Sequence, residues 1–157
     1  MAKDRVQVVS GLVEHAHAIK DHMREDDNRE CFAMAGRSAA KAVVAGMEKS
    51  YKSWTILYKG KPCGCFGVTS KSSLMVTGIP WLLGTDDILK IGFSVVRRSR
   101  MYVKEMIEDF DRLENYVDIR NTVSVNWIKW CGYTVEEPKP YGLKGELFCR
   151  FYMEKEV

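Results

Sequence analysis

The stretch from Leu113 to Val135 constrains this chain more than any other. Tyr116 lies between Asn115 and Val117, and Asp118 and Ile119 follow. This alternation predicts a short strand with mixed faces. Asn121 stops the strand and stands where a helix opens, and an Asn there caps by accepting a bond from a free N–H of the first turn. Val123, Trp127, Trp130 and Cys131 then recur at helical spacing. Gly132 ends the helix, because glycine takes positive φ at low cost. Tyr133-Thr134-Val135 opens another strand. A strand, a helix and a strand in so few residues call for helices packed on a sheet, which is α/β architecture.

The rest of the chain supports that class. Its 157 residues are enough for one domain, residues 1–157, with a real core. Hydrophobic residues make up 46% and charged residues 29%, a globular balance. A net charge of +3 is too small to point to nucleic acid. The start, Met-Ala-Lys-Asp-Arg, leads into no long apolar segment, so no secretory leader or membrane partner is expected. Five cysteines sit at 31, 63, 65, 131 and 149. Cys63 and Cys65 are expected on one face of a strand, and no second pair completes a metal site. All five read as free thiols, and no metal is expected.

Taken in order, Val6–Val9 is a first strand, and Leu12, His15, Ala16, Ile19 and Met23 mark an amphipathic helix over 12–24. Residues 24–30, Arg-Glu-Asp-Asp-Asn-Arg-Glu, form the densest charge cluster, which composition alone reads as a solvated turn. Residues 29–36 look helical, and Ser38 caps a helix over 39–50. Trp54–Tyr58 and Cys63–Thr69 form a hairpin around Lys59-Gly60-Lys61-Pro62, and Leu74–Leu83 carries a third strand. Asp86 and Asp87 suit a helix start, Ile88 to Val96 reads as one or two turns of helix, and a long amphipathic helix is expected from Val96 onward. Its early arginines, Arg97, Arg98 and Arg100, lie against the preference of the helix dipole and predict an anion nearby. Residues 138–145 read as a loop, and Leu147–Met153 as the last strand. The expected order is β-α-α-β-β-β-α-β-α-β-β, a mixed sheet flanked by helices.

Asn121, Ser124, Trp127, Gly132 and Tyr133 resemble the last block of the GNAT superfamily of acyl-CoA N-acyltransferases. Pro80-Trp81-Leu82-Leu83-Gly84-Thr85-Asp86-Asp87, Arg97-Arg98-Ser99-Arg100 and Leu113–Asn121 resemble, within it, GNAT-like proteins of tailed bacteriophages, among them an internal virion protein of T7-like podoviruses. The resemblance covers residues 50–153 best. It implies a GNAT-like fold, acetyl-CoA as cofactor, an amine as acceptor, and the host cytoplasm or the virion as location. It also leaves a second reading, an inactive GNAT-fold protein that serves virion assembly or binds a phage or host protein.

Acyl transfer from a thioester needs a held pyrophosphate, a polarised carbonyl and a base for the amine. By the resemblance, the strand edge at Leu82–Thr85, with Leu83, Gly84 and Thr85, meets the thioester. The span from Asp86 to Arg100 meets the pyrophosphate. Gly92 is its only glycine, and Arg97, Arg98 and Arg100 supply charge. Asn121 opens the site helix. The link between the first two helices walls the acceptor site, where Asp27 and Glu30 hold an amine or act as base through a water. The family's acid tyrosine, seven residues after the Asn, is replaced by Ile128.

Overall fold

The computed structural model describes residues 5–156, and the side chains of residues 92–94 lie outside that description. The chain runs β1 (Val6–Ser10), α1 (Val13–Ile19), α2 (Glu25–Ala35), α3 (Ala39–Lys49), β2 (Lys52–Tyr58), β3 (Lys61–Ser70) and β4 (Thr77–Gly84). It continues through α4 (Gly92–Ile107), β5 (Arg112–Asp118), α5 (Thr122–Trp130), β6 (Thr134–Val135), β7 (Lys139–Tyr141) and β8 (Glu146–Glu154). One sheet holds all the strands in the order β1-β2-β3-β4-β5-β8-β6, with β7 also paired to β8. Every pairing is antiparallel except β4 with β5.

That parallel pairing positions everything else. It lasts for two residue pairs, Thr77 with Arg112 and Gly78 with Leu113, and then the strands part. The Asn115 Nδ2 donates to the Pro80 carbonyl at 2.7 Å, just where they diverge. An opening therefore lies between the Trp81–Gly84 and Asn115–Ile119 segments.

Each face of the sheet has its own core. Ala16, Ile19, Ala42, Val43 and Met47 from α1 and α3 meet Cys65 and Leu83 on one side. Val95, Val103, Met106 and Phe110 cover Leu113, Val117 and Phe151 on the other. Ser38 caps α3 as expected, accepting from the Lys41 N–H at 3.2 Å. Gly132 takes φ +96° just beyond α5, which suits glycine.

Several sequence expectations need correction. Residues 24–30 are not a solvated turn: they lead into and form the first turns of α2, with Arg24 and Asp27 buried. Helix α1 ends at Ile19, short of residue 24, and tightens into a 3₁₀ turn, Lys20–His22; three helices separate β1 from β2, one for each helical stretch read at 12–24, 29–36 and 39–50. Helix α4 begins at Gly92, four residues before the amphipathic pattern shows it, because its first turn follows directly on a 3₁₀ turn at Asp86–Lys90. Within 138–145, Lys139–Tyr141 is a strand. Cys63 and Cys65 belong to opposite cores, because the β2–β3 register shifts between Ile56 and Leu57 and leaves Cys63 as the extra residue of a bulge.

Candidate functional site

A cavity of about 450 Å³ occupies the gap between β4 and β5. Its volume is in the range that holds a small organic ligand. Glu30 and Met34 of α2, Trp81 and Leu82 of β4, Tyr116 of β5, Trp127 of α5 and Tyr133 are among its lining residues. It is therefore bordered from both faces of the sheet.

The strand phase decides which backbone groups of β4 face it. The Thr85 N–H donates to the Cys63 carbonyl at 2.8 Å, so Thr85 points its backbone at β3. Antiparallel pairs alternate, which turns Leu83 the same way and Leu82 and Gly84 toward the gap. The Gly84 N–H is taken: Asp27 Oδ2 accepts it at 3.0 Å. The Gly84 carbonyl accepts from the Arg24 N–H at 2.9 Å. Pro80 has no N–H. Leu82 is thus the residue of this edge whose N–H faces the gap. Of the strand stretch that the sequence points to, Leu83 and Thr85 turn away and Gly84 is held by Asp27.

Asn121 stands at the N-cap position of α5, but its side chain makes no capping bond. Its Oδ1 accepts from Arg24 Nη2 at 3.3 Å, and its Nδ2 donates to Asp27 Oδ1 at 3.1 Å. The plain-cap reading of Asn121 fails because two buried charged partners compete for the side chain and win. Arg24 Nη1 also donates to Asp27 Oδ1 at 3.0 Å. Asp27 thus accepts three protein donors through its two oxygens. Burial pushes its carboxyl up; the Arg24 charge and the bonds from Gly84 and Asn121 oppose this, and the net direction remains upward.

Glu30 lies one helical turn on, at the cavity wall. Its Oε1 accepts the Asp118 N–H at 2.7 Å. Burial pushes its carboxyl up to about 8, and the nearby Asp27 and Asp118 charges add to this, while the bond from Asp118 opposes it. Asp118 is held by Arg120 through Nε to Oδ1 at 3.0 Å and Nη2 to Oδ2 at 2.7 Å. Burial raises Asp118, but the bonds and charge of Arg120 outweigh it, so its carboxyl sits below its ordinary value. Two neighbouring carboxyls thus have opposite shifts. One is fixed as an anion, and the other changes protonation near neutral pH.

The structure brings Asp27, Glu30 and Asn121 together. Sequence reasoning did not single out Arg24 or Asp118. The signal for Asp118 is an acid two residues before Arg120 at a strand end. Arg24 carried no signal, since arginines are rarely buried.

The remaining candidates lie toward the start of α4. Gly92 opens that helix. Ahead of it Asp86 and Asp87 sit in the 3₁₀ turn, and Lys90 Nζ pairs with Asp87 at 3.1 Å. Arg97 and Arg98 are exposed in the middle turns of α4. Arg100 donates from Nε to the Trp130 carbonyl at 2.9 Å and stacks over the Trp130 ring at 4.9 Å. The arginines therefore do not stand at the helix N-terminus, and Arg100 serves to tie α4 to α5. Trp127 reinforces that tie by donating to Ser99 Oγ at 2.6 Å.

Tyr133 borders the cavity with its ring buried edge-on against Phe151. Its hydroxyl has no hydrogen-bond partner. Desolvation raises its pKa, so the phenol stays protonated and is a donor. Replacing Tyr133 by Phe is expected to leave the folding stability unchanged or raise it by up to about 1 kcal/mol, because an unmade bond is removed. A loss larger than that, measured by thermal denaturation without ligand, would show that the hydroxyl has a partner within the protein.

Among the described residues, no group of three or more His, Cys, Asp or Glu is placed to hold a metal, and no helix is long and apolar enough to cross a membrane.

No family model and no curated protein matches this sequence. Solved structures do match its fold. The ribosomal-protein-S5-alanine acetyltransferase of Vibrio fischeri superposes with a TM-score of 0.66 at 15% identity, over 97% of this chain and 94% of that one. The Salmonella typhimurium protein yncA, solved with its cofactor acetyl-CoA, gives 0.67 at 12% identity over 97% and 95%. An acetyltransferase of the GNAT family from Streptococcus pneumoniae gives 0.63 at 12% identity over 96% and 99%. The fold is that of the GNAT acetyltransferases.

Proposed function

We propose that this protein is a diverged acyl-CoA-dependent N-acetyltransferase that acts on an amine. The observation that carries this reading is the cavity in the β4–β5 gap, bordered by Glu30 on one wall and by the Leu82 edge and Tyr133 on others. The acyl end of acetyl-CoA fits this cavity. Bound there, it supplies an acyl group activated as a thioester.

Glu30 receives the proton of the amine, directly or through one water, since its carboxyl changes protonation near neutral pH. Arg120 and Asp118 position Glu30 through the Asp118 N–H. The Leu82 N–H is the donor aimed at a carbonyl oxygen. Asp27 and Asn121 keep the Gly84 and Arg24 groups occupied and so hold the end of β4 in place. The C–N bond forms as the thioester C–S bond breaks, and the CoA thiolate leaves and takes its proton from solvent.

The pyrophosphate end is weaker. No glycine-rich loop precedes α4, and Asp86 and Asp87 repel an anion placed beside them. Gly92 is the residue this chain offers at that helix start, and Arg97 and Arg98, farther along α4, add positive charge from a distance. Acetyl-CoA is therefore expected to bind, with an affinity well below that of a GNAT enzyme with an intact loop. Calorimetric titration tests this. The double variant Arg97→Ala, Arg98→Ala is expected to weaken binding about fivefold to tenfold, the range of exposed charge contacts. Absence of heat and of any thermal shift at millimolar acetyl-CoA would overturn the reading. The acid-rich turn at Asp86–Lys90 favours the alternative in that event: a GNAT-fold protein of phage origin that works through contacts with a phage or host protein in virion assembly.

A further inference from the structure

We infer that the amine this site accepts is a monoamine on an aromatic or other apolar body, and not a polyamine or a peptide N-terminus. The inference rests on the acyltransferase reading for the reaction but on the cavity wall alone for the acceptor. On the side of the sheet covered by α2 and α3, the wall is built from Glu30, Cys31, Met34, Trp81, Tyr116 and Tyr141. Three of these are large rings. Trp81 packs flat on α3 at Gly46, where a Cβ would come within 2.9 Å of the indole. Its Nε1 donates to Ser50 Oγ at 2.7 Å, so the ring meets the cavity with its polar atom already used.

Tyr116 and Tyr141 stack at 3.7 Å between centroids, 8° from parallel. The following loop fixes that stack over the cavity. The Leu143 N–H donates to the Met34 carbonyl at 3.0 Å, at the end of α2. Gly142 takes φ +80°, and a Cβ there would lie 2.9 Å from the Ala33 carbonyl oxygen, so the loop seats on α2 only with glycine at this position. The aromatic wall is thus a rigid part of the fold.

Charge decides between classes of amine. Among the described lining residues, Glu30 is the one carboxyl, and Arg37 stands on the same lining. Cys31 adds no anion, since burial and the Glu30 and Asp27 charges push its thiol up to about 12. A polyamine brings several cations and finds one carboxyl and a repelling guanidinium. A peptide N-terminus brings amide groups that must be paired on burial, and the ring wall offers little to pair them. A single amine at Glu30, with its body against Trp81 and Tyr116, meets the one carboxyl by a hydrogen bond and buries apolar surface against rings.

The test uses 2-phenylethylamine, spermidine and an Ala-initiated tetrapeptide. Each is offered to the full chain alone, read by saturation-transfer NMR, and then with acetyl-CoA, read by CoA release. Phenylethylamine is expected to bind alone and to be acetylated with a kcat/KM at least about 100-fold above the other two, the scale set by leaving polar groups unpaired in an apolar site. Tyr116→Leu, which keeps the bulk, is expected to raise the KM for phenylethylamine about fivefold to tenfold and to leave acetyl-CoA affinity unchanged. Preference for spermidine or the peptide overturns the inference, as does acetyl-CoA binding without any phenylethylamine binding. Phenylethylamine binding to a protein that does not bind acetyl-CoA supports the amine site and sinks the acyltransferase reading instead.

Discussion

Replacing Asp27 by leucine is expected to cost about 3–5 kcal/mol of folding stability, the range for removing one partner of a buried ion pair. The side chains of Arg24 and Asp27 are 6% and 2% exposed. Without Asp27, the Arg24 guanidinium keeps the weaker contacts with Asn121 and Asp26, while the Gly84 N–H and the Asn121 Nδ2 lose their acceptor. Three buried donors are thus affected by one substitution. The contrast is Arg29→Ala, which breaks an ion pair whose partners are 41% and 40% exposed. That change is expected to cost less than about 1 kcal/mol. The double variant Arg24→Leu, Asp27→Leu should recover part of the loss, because no uncompensated charge remains. Urea denaturation at pH 7 and at two salt concentrations measures all three. A cost for Asp27→Leu below about 1 kcal/mol would mean that the pair is hydrated and does not lock β4.

Glu30→Gln is expected to give the largest change in pH behaviour. The folded carboxyl titrates at about 8, against an ordinary value of 4.5. Between those values the native state keeps a proton that the unfolded chain has released. Stability contributed by Glu30 is therefore full at low pH and is lost as pH rises from about 4.5 to about 8. The Gln variant cannot ionise and keeps an oxygen for the Asp118 N–H. It should lose this slope and be more stable than the parent at pH 9, by ~2–4 kcal/mol. Catalysis runs the other way. A base acts when deprotonated, so transfer by the parent should climb through pH 8, and Glu30→Gln should lower the rate by about 10²–10⁴-fold. Denaturation midpoints from pH 4 to 9 check the first claim, and CoA release over the same range checks the second. Equal stability slopes in both proteins would place the proton elsewhere. A variant that turned over normally would remove Glu30 from the chemistry while leaving its effect on stability intact.

The local signals in the sequence were dependable where one element decides the outcome. The pattern of Val123, Trp127 and Trp130 placed α5, and Gly132 ended it at φ +96°. The Ser38 cap formed as its residue type predicts. Asp27 and Glu30 sit one turn apart on α2, a spacing that only the structure shows, since the sequence read 24–30 as a turn. Local signals misled where a distant partner outbid a local one. Asn121 is a good capping residue, yet its side chain turned to a charged pair 94 and 97 positions away. The cluster at 24–30 looked like a solvated face because composition records charge but not what covers it.

By itself, then, the sequence determined the α/β class and most of the strands and helices, since periodicity, caps and glycines act over a few residues. The tertiary structure alone decided three things. It buried Arg24 and Asp27. It left Leu82, rather than Gly84 or Thr85, as the N–H facing the cavity. It also moved the Glu30 proton to about 8. Each depends on strand phase or on desolvation by segments far apart in the chain. The physical reason is that the cost of a buried charge is set by everything around it and not by its neighbours in sequence.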